Sequence, residues 1–319
     1  MPETSRLSCD AIVVGSGAGG APVAAVLAEA GLDVVLLEVG PRIETREFNG
    51  DEGEMTAKLW KMGFAVDSGL SVYAGACVGG STVINDALCF RTPPEVLERW
   101  RRDHGLAGLT ESAFAPFVER AWQDLHAEET GPDHTSRNAA ALARGAAKLG
   151  WLAGPTPRSV KSCASFGLCN YGCPTGAKQS TLVTYVPRAE KAGARVIAGA
   201  RVERVRIEAG AARGVDAVMA DGSPLTVDAG VVCLAAGVLA TPAILQKSGI
   251  AAGARPQAAR QPARRWLKRD MIPCGRQVSP SPARAHPVPP RRLLRCWSWP
   301  ATAAGQLGGL NYSSYMEDC

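Results

Sequence analysis

The chain has 319 residues, of which 46% are hydrophobic and 20% charged, as in a globular protein that buries a core in one large or two ordinary domains. No stretch has the character of a membrane span and the N-terminus lacks the features of a signal peptide, so we expect a cytoplasmic protein. The net charge of +5 comes from residues 251–319, which hold ten Arg and one Lys against three acidic residues. Residues 1–250 carry 24 basic and 27 acidic groups, which argues against a nucleic-acid surface.

The first forty residues have the pattern of a strand, a loop, a helix and a second strand. Residues 11–14 are apolar and β-branched, as expected of a buried parallel strand, and G-x-G-x-x-G follows at 15–20. An Ala-rich helical stretch covers 21–30, and residues 33–37 form a second strand that ends at Glu38. This unit is typical of a dinucleotide-binding fold.

Each glycine of the loop has a chemical reason. Gly15 permits the tight turn, Gly17 lets the backbone approach a pyrophosphate, and Gly20 lets the helix pack close to the strand. The helix N-terminus beside Ala18 offers N–H groups and a positive dipole end to phosphates. Glu38 is placed to accept hydrogen bonds from ribose hydroxyls and disfavours the 2′-phosphate of NADP. The unit alone does not separate FAD from NAD.

A second glycine-rich motif occupies residues 75–85. Its paired glycines let the main chain lie against a flat ring or a phosphate, and its polar residues supply hydrogen bonds. On its own the motif is equally typical of a surface turn. The candidate cofactor contacts in it are Gly75, Val78, Gly79, Gly80, Ser81, Thr82 and Asn85.

The stretch 75–93 resembles the first signature of the glucose–methanol–choline (GMC) oxidoreductases, where it lines the isoalloxazine and pyrophosphate of FAD. Residues 200–202 resemble the strand whose Val backbone contacts the adenine, and residues 231–250 resemble the second signature. The resemblance covers nearly all of residues 8–250. It implies three further cofactor contacts, Val202, Ala236 and Gly237.

The resemblance also implies a fold and a reaction. The fold is an α/β, Rossmann-like FAD-binding domain with a parallel sheet and a β-meander, and the substrate domain is largely absent. The reaction is oxidation of the CH–OH group of an alcohol or sugar by hydride transfer to the flavin. Ile84 stands where some members attach FAD through a His, so we expect non-covalent FAD.

Three of the ten cysteines, Cys163, Cys169 and Cys173, lie within eleven residues. Three thiolates in a Gly-containing loop can hold an iron–sulfur cluster, and the spacing is similar to that of cluster-bearing sugar dehydrogenases of the family. A structural loop, or a disulfide with a free thiol, explains the spacing as well. A cluster favours a dehydrogenase that passes electrons to a protein or quinone over an oxidase.

Residues 251–300 contain nine Pro and show no helical or strand period. A shifted reading frame or a truncation explains this composition, and a genuine basic tail that binds an acidic partner is the alternative. Family members carry a His that removes the alcohol proton, but no histidine here fits that role. We therefore assign no catalytic residue. The four histidines are His104, His126, His134 and His286.

The predicted organisation is an FAD-binding domain from residues 1–128 and 195–250, an inserted segment 129–194 with the cysteine loop, and an aberrant, disordered tail at 251–319. Helices are expected over 94–150, with four aromatic residues in the core: Trp100, Phe114, Phe117 and Trp122. The predicted function is that of an FAD-dependent alcohol or sugar dehydrogenase, inactive if truncated. A non-catalytic or electron-transfer flavoprotein, and an NAD-dependent enzyme or basic-tailed binding module, are the alternatives.

Overall fold

The computed structural model describes residues 5–65, 70–252 and 293–296. Most of the predicted tail, residues 253–292 and 297–319, lies outside the described residues. Within the described part of the chain, no helix has both the length and the apolarity needed to cross a bilayer.

The described residues form seven α-helices and fourteen strands, besides four short 3-10 helices. The helices are α1 (Gly20–Glu29), α2 (Glu52–Leu59), α3 (Pro94–His104), α4 (Glu111–Asp124), α5 (Arg137–Lys148), α6 (Tyr185–Lys191) and α7 (Gly237–Lys247). The strands are β1 (Ser5–Ser8), β2 (Ala11–Val14), β3 (Val34–Glu38), β4 (Trp60–Ala65), β5 (Leu70–Gly75), β6 (Ala127–Glu129), β7 (Leu152–Pro155), β8 (Pro157–Ser159), β9 (Arg195–Ala198), β10 (Ala200–Glu208), β11 (Ala211–Met219), β12 (Pro224–Asp228), β13 (Val231–Leu234) and β14 (Leu293–Cys296).

The chain divides into two compact units. Unit 1 consists of residues 1–128, 157–164 and 168–254, and unit 2 consists of residues 129–156, 165–167 and 255–319. All three clustered cysteines belong to unit 1. In unit 2, Ser136 caps α5 by accepting a hydrogen bond from the Ala139 N–H at 3.2 Å, and β7 pairs in parallel with β14.

A four-stranded parallel sheet in the order β13–β2–β3–β9 lies at the centre of unit 1. Residues 11–14 and 34–38 are buried along their whole length, which explains why they read as continuous apolar runs. The predicted strand–helix–strand unit is confirmed, with α1 and β3 each starting within one residue of the expected position.

The predicted meander is a second sheet, in the order β1–β12–β11–β10. Strand β11 pairs antiparallel with both β10 and β12, whereas β1 pairs in parallel with β12. The two strands that flank the meander, β9 and β13, instead join the parallel sheet beside β3 and β2. The meander region therefore supplies strands to both sheets.

Alternate residues of the parallel strands fill two different apolar clusters. Val13 and Leu36 pack in one cluster with residues of α1 and α6, whereas Ile12 and Val35 pack in the other with residues of the meander. Successive side chains of a strand point to opposite faces, so one short run serves both clusters. The sheet is thus covered on both sides, and its carboxyl-end loops are the part left available for a ligand.

Helices α3 and α4 form as expected, but the prediction that their aromatic residues are core anchors is wrong for two of the four. Phe117 is 70% exposed and Trp100 is 37% exposed. Helix α4 contains no buried residue, although one of its faces is apolar. An amphipathic pattern identifies the apolar face of a helix, but it does not supply the surface that covers that face.

Candidate cofactor-binding site

The first glycine loop connects β2 to α1 and packs closely against its neighbours. A Cβ atom on Gly20 would lie 1.8 Å from the Gly15 carbonyl oxygen, and one on Gly15 would lie 2.4 Å from the Ala235 carbonyl oxygen. Gly15 also has a φ of +98°, which side chains disfavour. Both positions therefore require glycine, as the sequence predicts.

The N-terminus of α1 is open to an anion. Its N-cap, Gly19, supplies no capping side chain, and the first turn contains no acidic residue. A Cβ atom on Gly17 would meet its nearest neighbour, the Gly80 Cα, at 3.8 Å, so the loop backbone is not blocked at this point. Uncapped N–H groups and the helix dipole together suit a phosphate.

Glu38, at the end of β3, is only 4% exposed and holds the first loop in place. One carboxylate oxygen accepts hydrogen bonds from the Ser16 N–H at 2.9 Å and the Ser16 hydroxyl at 2.6 Å. The other oxygen accepts one from the Gly40 N–H at 3.0 Å. A carboxylate has about four acceptor positions, so capacity remains for a ribose hydroxyl.

The second glycine loop lies directly against the first. Gly79 and Gly80 both have positive φ angles, and the Gly79 N–H donates to the Ser16 hydroxyl oxygen at 2.9 Å. A Cβ atom on Gly80 would lie 2.9 Å from the Gly17 Cα. Gly75 is also constrained, because its Cβ would lie 2.4 Å from the Gly80 carbonyl oxygen. Two motifs about sixty residues apart therefore build one surface.

The polar residues of the second loop mainly brace the loop itself. Ser81 accepts a hydrogen bond from the Gly75 N–H at 3.0 Å, and Thr82 donates to the Gly79 carbonyl oxygen at 2.6 Å. The Asn85 side chain accepts one from the Ala87 N–H at 3.0 Å. Val78 is 1% exposed and belongs to the core. Main-chain groups of the loop are thus better placed than its side chains to meet a ligand.

Thr181 is a functional candidate that sequence reasoning missed. Its side-chain oxygen lies 2.9 Å from the Ser16 carbonyl oxygen, 3.1 Å from that of Gly79 and 3.0 Å from the Thr82 hydroxyl oxygen. It therefore ties the two glycine loops together from a position 2% exposed. No motif surrounds Thr181, so the sequence carries no signal for this role.

The turn from β13 to α7 is the third part of the site. The Ala235 N–H donates to the Val14 carbonyl oxygen at 2.8 Å, which places this turn beside the first loop. Ala236 is the N-cap of α7 and supplies no capping side chain. Gly237 has a φ of +84° with open space where a Cβ would be. A second uncapped helix N-terminus thus follows a strand of the same sheet.

Sequence comparison identifies the family to which this architecture belongs. Residues 9–277 match the family described as GMC oxidoreductase. The chain belongs to the GMC oxidoreductase family. It is 41% identical over 254 residues to a GMC-type oxidoreductase of Mycobacterium tuberculosis, covering 78% of this chain and 40% of that protein. It is 32% identical over 263 residues to long-chain-alcohol oxidase FAO3 of Arabidopsis thaliana, covering 78% and 35%.

Solved structures show the same fold. Pyridoxine 4-oxidase from Mesorbium loti superposes with a TM-score of 0.60 at 20% identity, over 76% of this chain and 52% of that one. A formate oxidase of Aspergillus oryzae superposes with a TM-score of 0.54 at 17% identity, over 78% and 48%. The present chain therefore spans about half the length of these structures and 40% of the M. tuberculosis relative.

Val202 and Ile84, the remaining residues singled out in the GMC pattern, are both buried. Val202 lies in β10, is 8% exposed and shares an apolar cluster with Val14 and Leu37, which stand near the carboxyl ends of β2 and β3. Ile84 is 5% exposed and packs in the cluster with α1 and α6. An apolar side chain at position 84 thus has a packing role of its own.

Of the two interpretations of the clustered cysteines, the structural loop has more support than the iron–sulfur site. Among the described residues, no three His, Cys, Asp or Glu side chains are grouped to hold a metal ion, so Cys163, Cys169 and Cys173 are not brought together. The sulfurs have other partners. Cys169 Sγ accepts a hydrogen bond from the Arg158 guanidinium at 3.0 Å, and Cys173 Sγ accepts one from the Lys178 N–H at 3.5 Å. Residue spacing alone did not reveal these competing donors.

The Cys173 thiol sits among hydrogen-bond donors. Burial acts to raise its pKa, but hydrogen bonds from the Thr175 hydroxyl and from the N–H groups of Lys178, Thr175 and Ala177 outweigh that effect. The pKa of Cys173 is therefore lowered. These hydrogen bonds give the Cys173 sulfur polar partners without a metal ion.

The described histidines lie on elements other than the two glycine loops. His104 and His126 are exposed at or just beyond the C-terminal ends of α3 and α4. His134 belongs to unit 2, where its Nδ1 lies 2.7 Å from the Ser165 hydroxyl oxygen. His286 lies outside the described residues.

We predict that substitution by Ala changes the free energy of unfolding very differently at Gly19 and Gly20, the two adjacent glycines of the first loop. Gly20→Ala forces a Cβ against a backbone oxygen and should destabilise the FAD-free chain by about 1–3 kcal/mol or more. Gly19→Ala is the matched control, because its Cβ would meet Ala235 at an ordinary 3.6 Å. It should change the free energy of unfolding by less than about 0.5 kcal/mol. Urea unfolding of both variants makes the comparison, and equal stabilities would contradict this packing.

Proposed function

We propose that this chain binds FAD non-covalently and forms the flavin-binding part of an oxidoreductase that acts on the CH–OH group of an alcohol or sugar. The observation that carries the proposal is the contact between Gly17 and Gly80 at the uncapped N-terminus of α1. The first glycine loop is equally typical of NAD and of FAD, whereas the GMC pattern places a main-chain surface for the isoalloxazine beside it. The second loop provides that surface.

Different segments of the chain would bind different parts of FAD. The N–H groups at the start of α1 would neutralise the diphosphate, and Glu38 would accept a hydrogen bond from the ribose. The second glycine loop, with Ala236 and Gly237 at the start of α7, would face the isoalloxazine, and the backbone at Val202 would meet the adenine. When bound, FAD supplies the acceptor for the hydride of the substrate.

The residue at position 84 supports the proposal of non-covalent attachment. Ile84 has no nucleophilic atom, and its side chain is buried in the core rather than exposed to a ligand. Covalent attachment at this position would need a His and an open path to the flavin.

The proposed substrate class is supported by the relatives. Four of the curated relatives are long-chain-alcohol oxidases, which favours an alcohol over a sugar. Our expectation of a dehydrogenase is favoured by an iron–sulfur cluster, and no metal-holding group of side chains is found among the described residues. The remaining choice is between transfer of electrons to oxygen and transfer to a protein or quinone acceptor. Formation of hydrogen peroxide during alcohol turnover in air distinguishes the first from the second.

The alternative function is an electron-transfer or regulatory flavoprotein without its own substrate. The observation that favours it is that the sequence assigns no histidine to the role of the base. One measurement distinguishes the two functions. Anaerobic addition of a long-chain alcohol bleaches the flavin of an oxidoreductase but leaves the flavin of the alternative oxidised.

We expect the purified full-length chain to show the two-band visible spectrum of oxidised flavin, or to acquire it on addition of FAD. Acid precipitation should release all of the flavin into the supernatant, because Ile84 offers no point of attachment. Flavin retained by the precipitate would contradict non-covalent binding. A folded chain that takes up no FAD at all would overturn the proposed function.

Glu38→Gln should weaken FAD binding. The amide loses the negative charge and presents an N–H group towards the donors of Ser16 or Gly40, which costs about 1.5–3 kcal/mol for a hydrogen-bonded charged group. The dissociation constant of FAD should rise about tenfold or more. Glu111→Gln, at an exposed position at the start of α4, is the matched control. Fluorescence titration with FAD measures both, and equal affinities would exclude Glu38 from the site.

A further inference from the structure

Two buried cationic side chains lie behind the second glycine loop. Lys178 is 3% exposed and Arg158 is 5% exposed. Within the described ranges, neither forms an ion pair with an Asp or Glu. Buried charges are normally paired, because removing an ammonium or guanidinium group from water is costly. These two cations therefore need another explanation.

Both cations donate to the backbone at the C-terminal end of the second glycine loop. Lys178 Nζ donates to the carbonyl oxygen of Val83 at 2.9 Å, and also to that of Asn85. Arg158 Nε donates to the carbonyl oxygen of Asp86 at 3.3 Å. Three carbonyl groups within four residues are thus held by two positive charges.

The same two side chains hold the cysteine loop. Lys178 Nζ donates its third hydrogen bond to the Cys169 carbonyl oxygen at 2.8 Å, and the Arg158 guanidinium donates to the sulfur of that residue at 3.0 Å. Cys169 is therefore joined through Lys178 and Arg158 to the end of the second glycine loop. All three N–H groups of the Lys178 ammonium have carbonyl acceptors.

Short extended segments fix the position of both cations. Leu88 forms an antiparallel bridge with Arg158, and Val160 forms one with Lys178. Ser159 completes this arrangement, because its N–H donates to the Ala87 carbonyl oxygen at 2.8 Å. The backbone that carries the cations is therefore hydrogen-bonded to the backbone that they hold.

The charge of Lys178 is costly at this position. Burial lowers the pKa of its ammonium group to about 8. An uncharged side chain would avoid that cost but would leave the carbonyl oxygens of Val83 and Asn85 without this donor. The ammonium charge of Lys178 interacts strongly with nearby charged and polar groups, because electrostatic interactions are less screened in a protein interior than in water.

We propose that Lys178 is a positioning residue for the flavin, which fixes the second glycine loop and raises the reduction potential of the bound FAD by placing a positive charge beside Asn85. The inference rests on the proposed function, since it requires the flavin to lie on this loop. Reduction by a hydride adds two electrons and one proton to the isoalloxazine, so the reduced ring carries more negative charge. A nearby buried cation stabilises that form relative to the oxidised one.

Four variants separate the two parts of the proposal. Lys178→Met removes both the charge and the donors, Lys178→Gln removes the charge but keeps an N–H donor group, and Lys178→Arg keeps the charge. Lys161→Met is the matched control, because Lys161 is exposed on the same segment and its main-chain N–H donates to the Ala177 carbonyl oxygen. The glutamine variant serves where the methionine variant does not fold.

Positioning is measured on the FAD-free chain by amide hydrogen exchange. The Val83 and Ile84 amides are hydrogen-bonded to the carbonyl oxygens of Gly80 and Ser81 in the tight turn of the loop. We expect their exchange to be at least tenfold faster in Lys178→Met and unchanged in Lys161→Met. Unchanged exchange in a folded Lys178→Met chain would overturn the positioning role, whether or not the chain binds FAD.

The electrostatic part is measured on the FAD-loaded chain by reductive titration against a reference dye. Lys178→Met and Lys178→Gln should lower the reduced-to-oxidised ratio about tenfold at a fixed potential, equivalent to about 30 mV for a two-electron couple. Lys178→Arg and Lys161→Met should keep the ratio of the unchanged protein. Equal potentials in all variants would overturn this part. Failure of the unchanged, folded protein to bind FAD would overturn the proposed function, and with it the electrostatic part, while the exchange result stands by itself.

Discussion

Ser16 connects three parts of the site through one residue. Its N–H and hydroxyl both donate to Glu38, its hydroxyl oxygen accepts from the Gly79 N–H, and its carbonyl oxygen lies within hydrogen-bonding distance of Thr181. Ser16 is 0% exposed, so each of its polar atoms must have a hydrogen-bond partner within the protein. The contact between the two glycine loops, and the shape of any ligand surface between them, depends on this arrangement.

The two glycine loops are held by buried charges of opposite sign, negative at the first loop and positive at the second. Glu38 lies at the first loop, where the ribose of a dinucleotide is expected, and Lys178 and Arg158 lie behind the second loop. Each charge is compensated mainly by backbone N–H or carbonyl groups rather than by an ion-pair partner. Backbone dipoles therefore fix these charges in place, which is the condition under which they can orient a cofactor and tune its chemistry.

The cysteine loop shows how the same residues acquire a different role in three dimensions. Its spacing is compatible with a metal cluster, but Arg158 and the Lys178 backbone occupy the hydrogen-bonding positions around Cys169 and Cys173. Arg158 comes before the loop and Lys178 comes after it, so neither donor belongs to the cysteine pattern itself. The loop is better understood as a support for the second glycine loop.

The sequence by itself determined the parallel strand–helix unit, the positions of both glycine loops and the membership of the GMC oxidoreductase family. These features depend on local patterns, because a buried strand must be apolar throughout and a tight turn beside a phosphate must be glycine. Only the tertiary structure decided that Gly17 meets Gly80, that Thr181 joins the two loops, and that Phe117 is exposed. The physical reason is that these outcomes depend on which distant segments share a surface, and a local pattern carries no information about its partner.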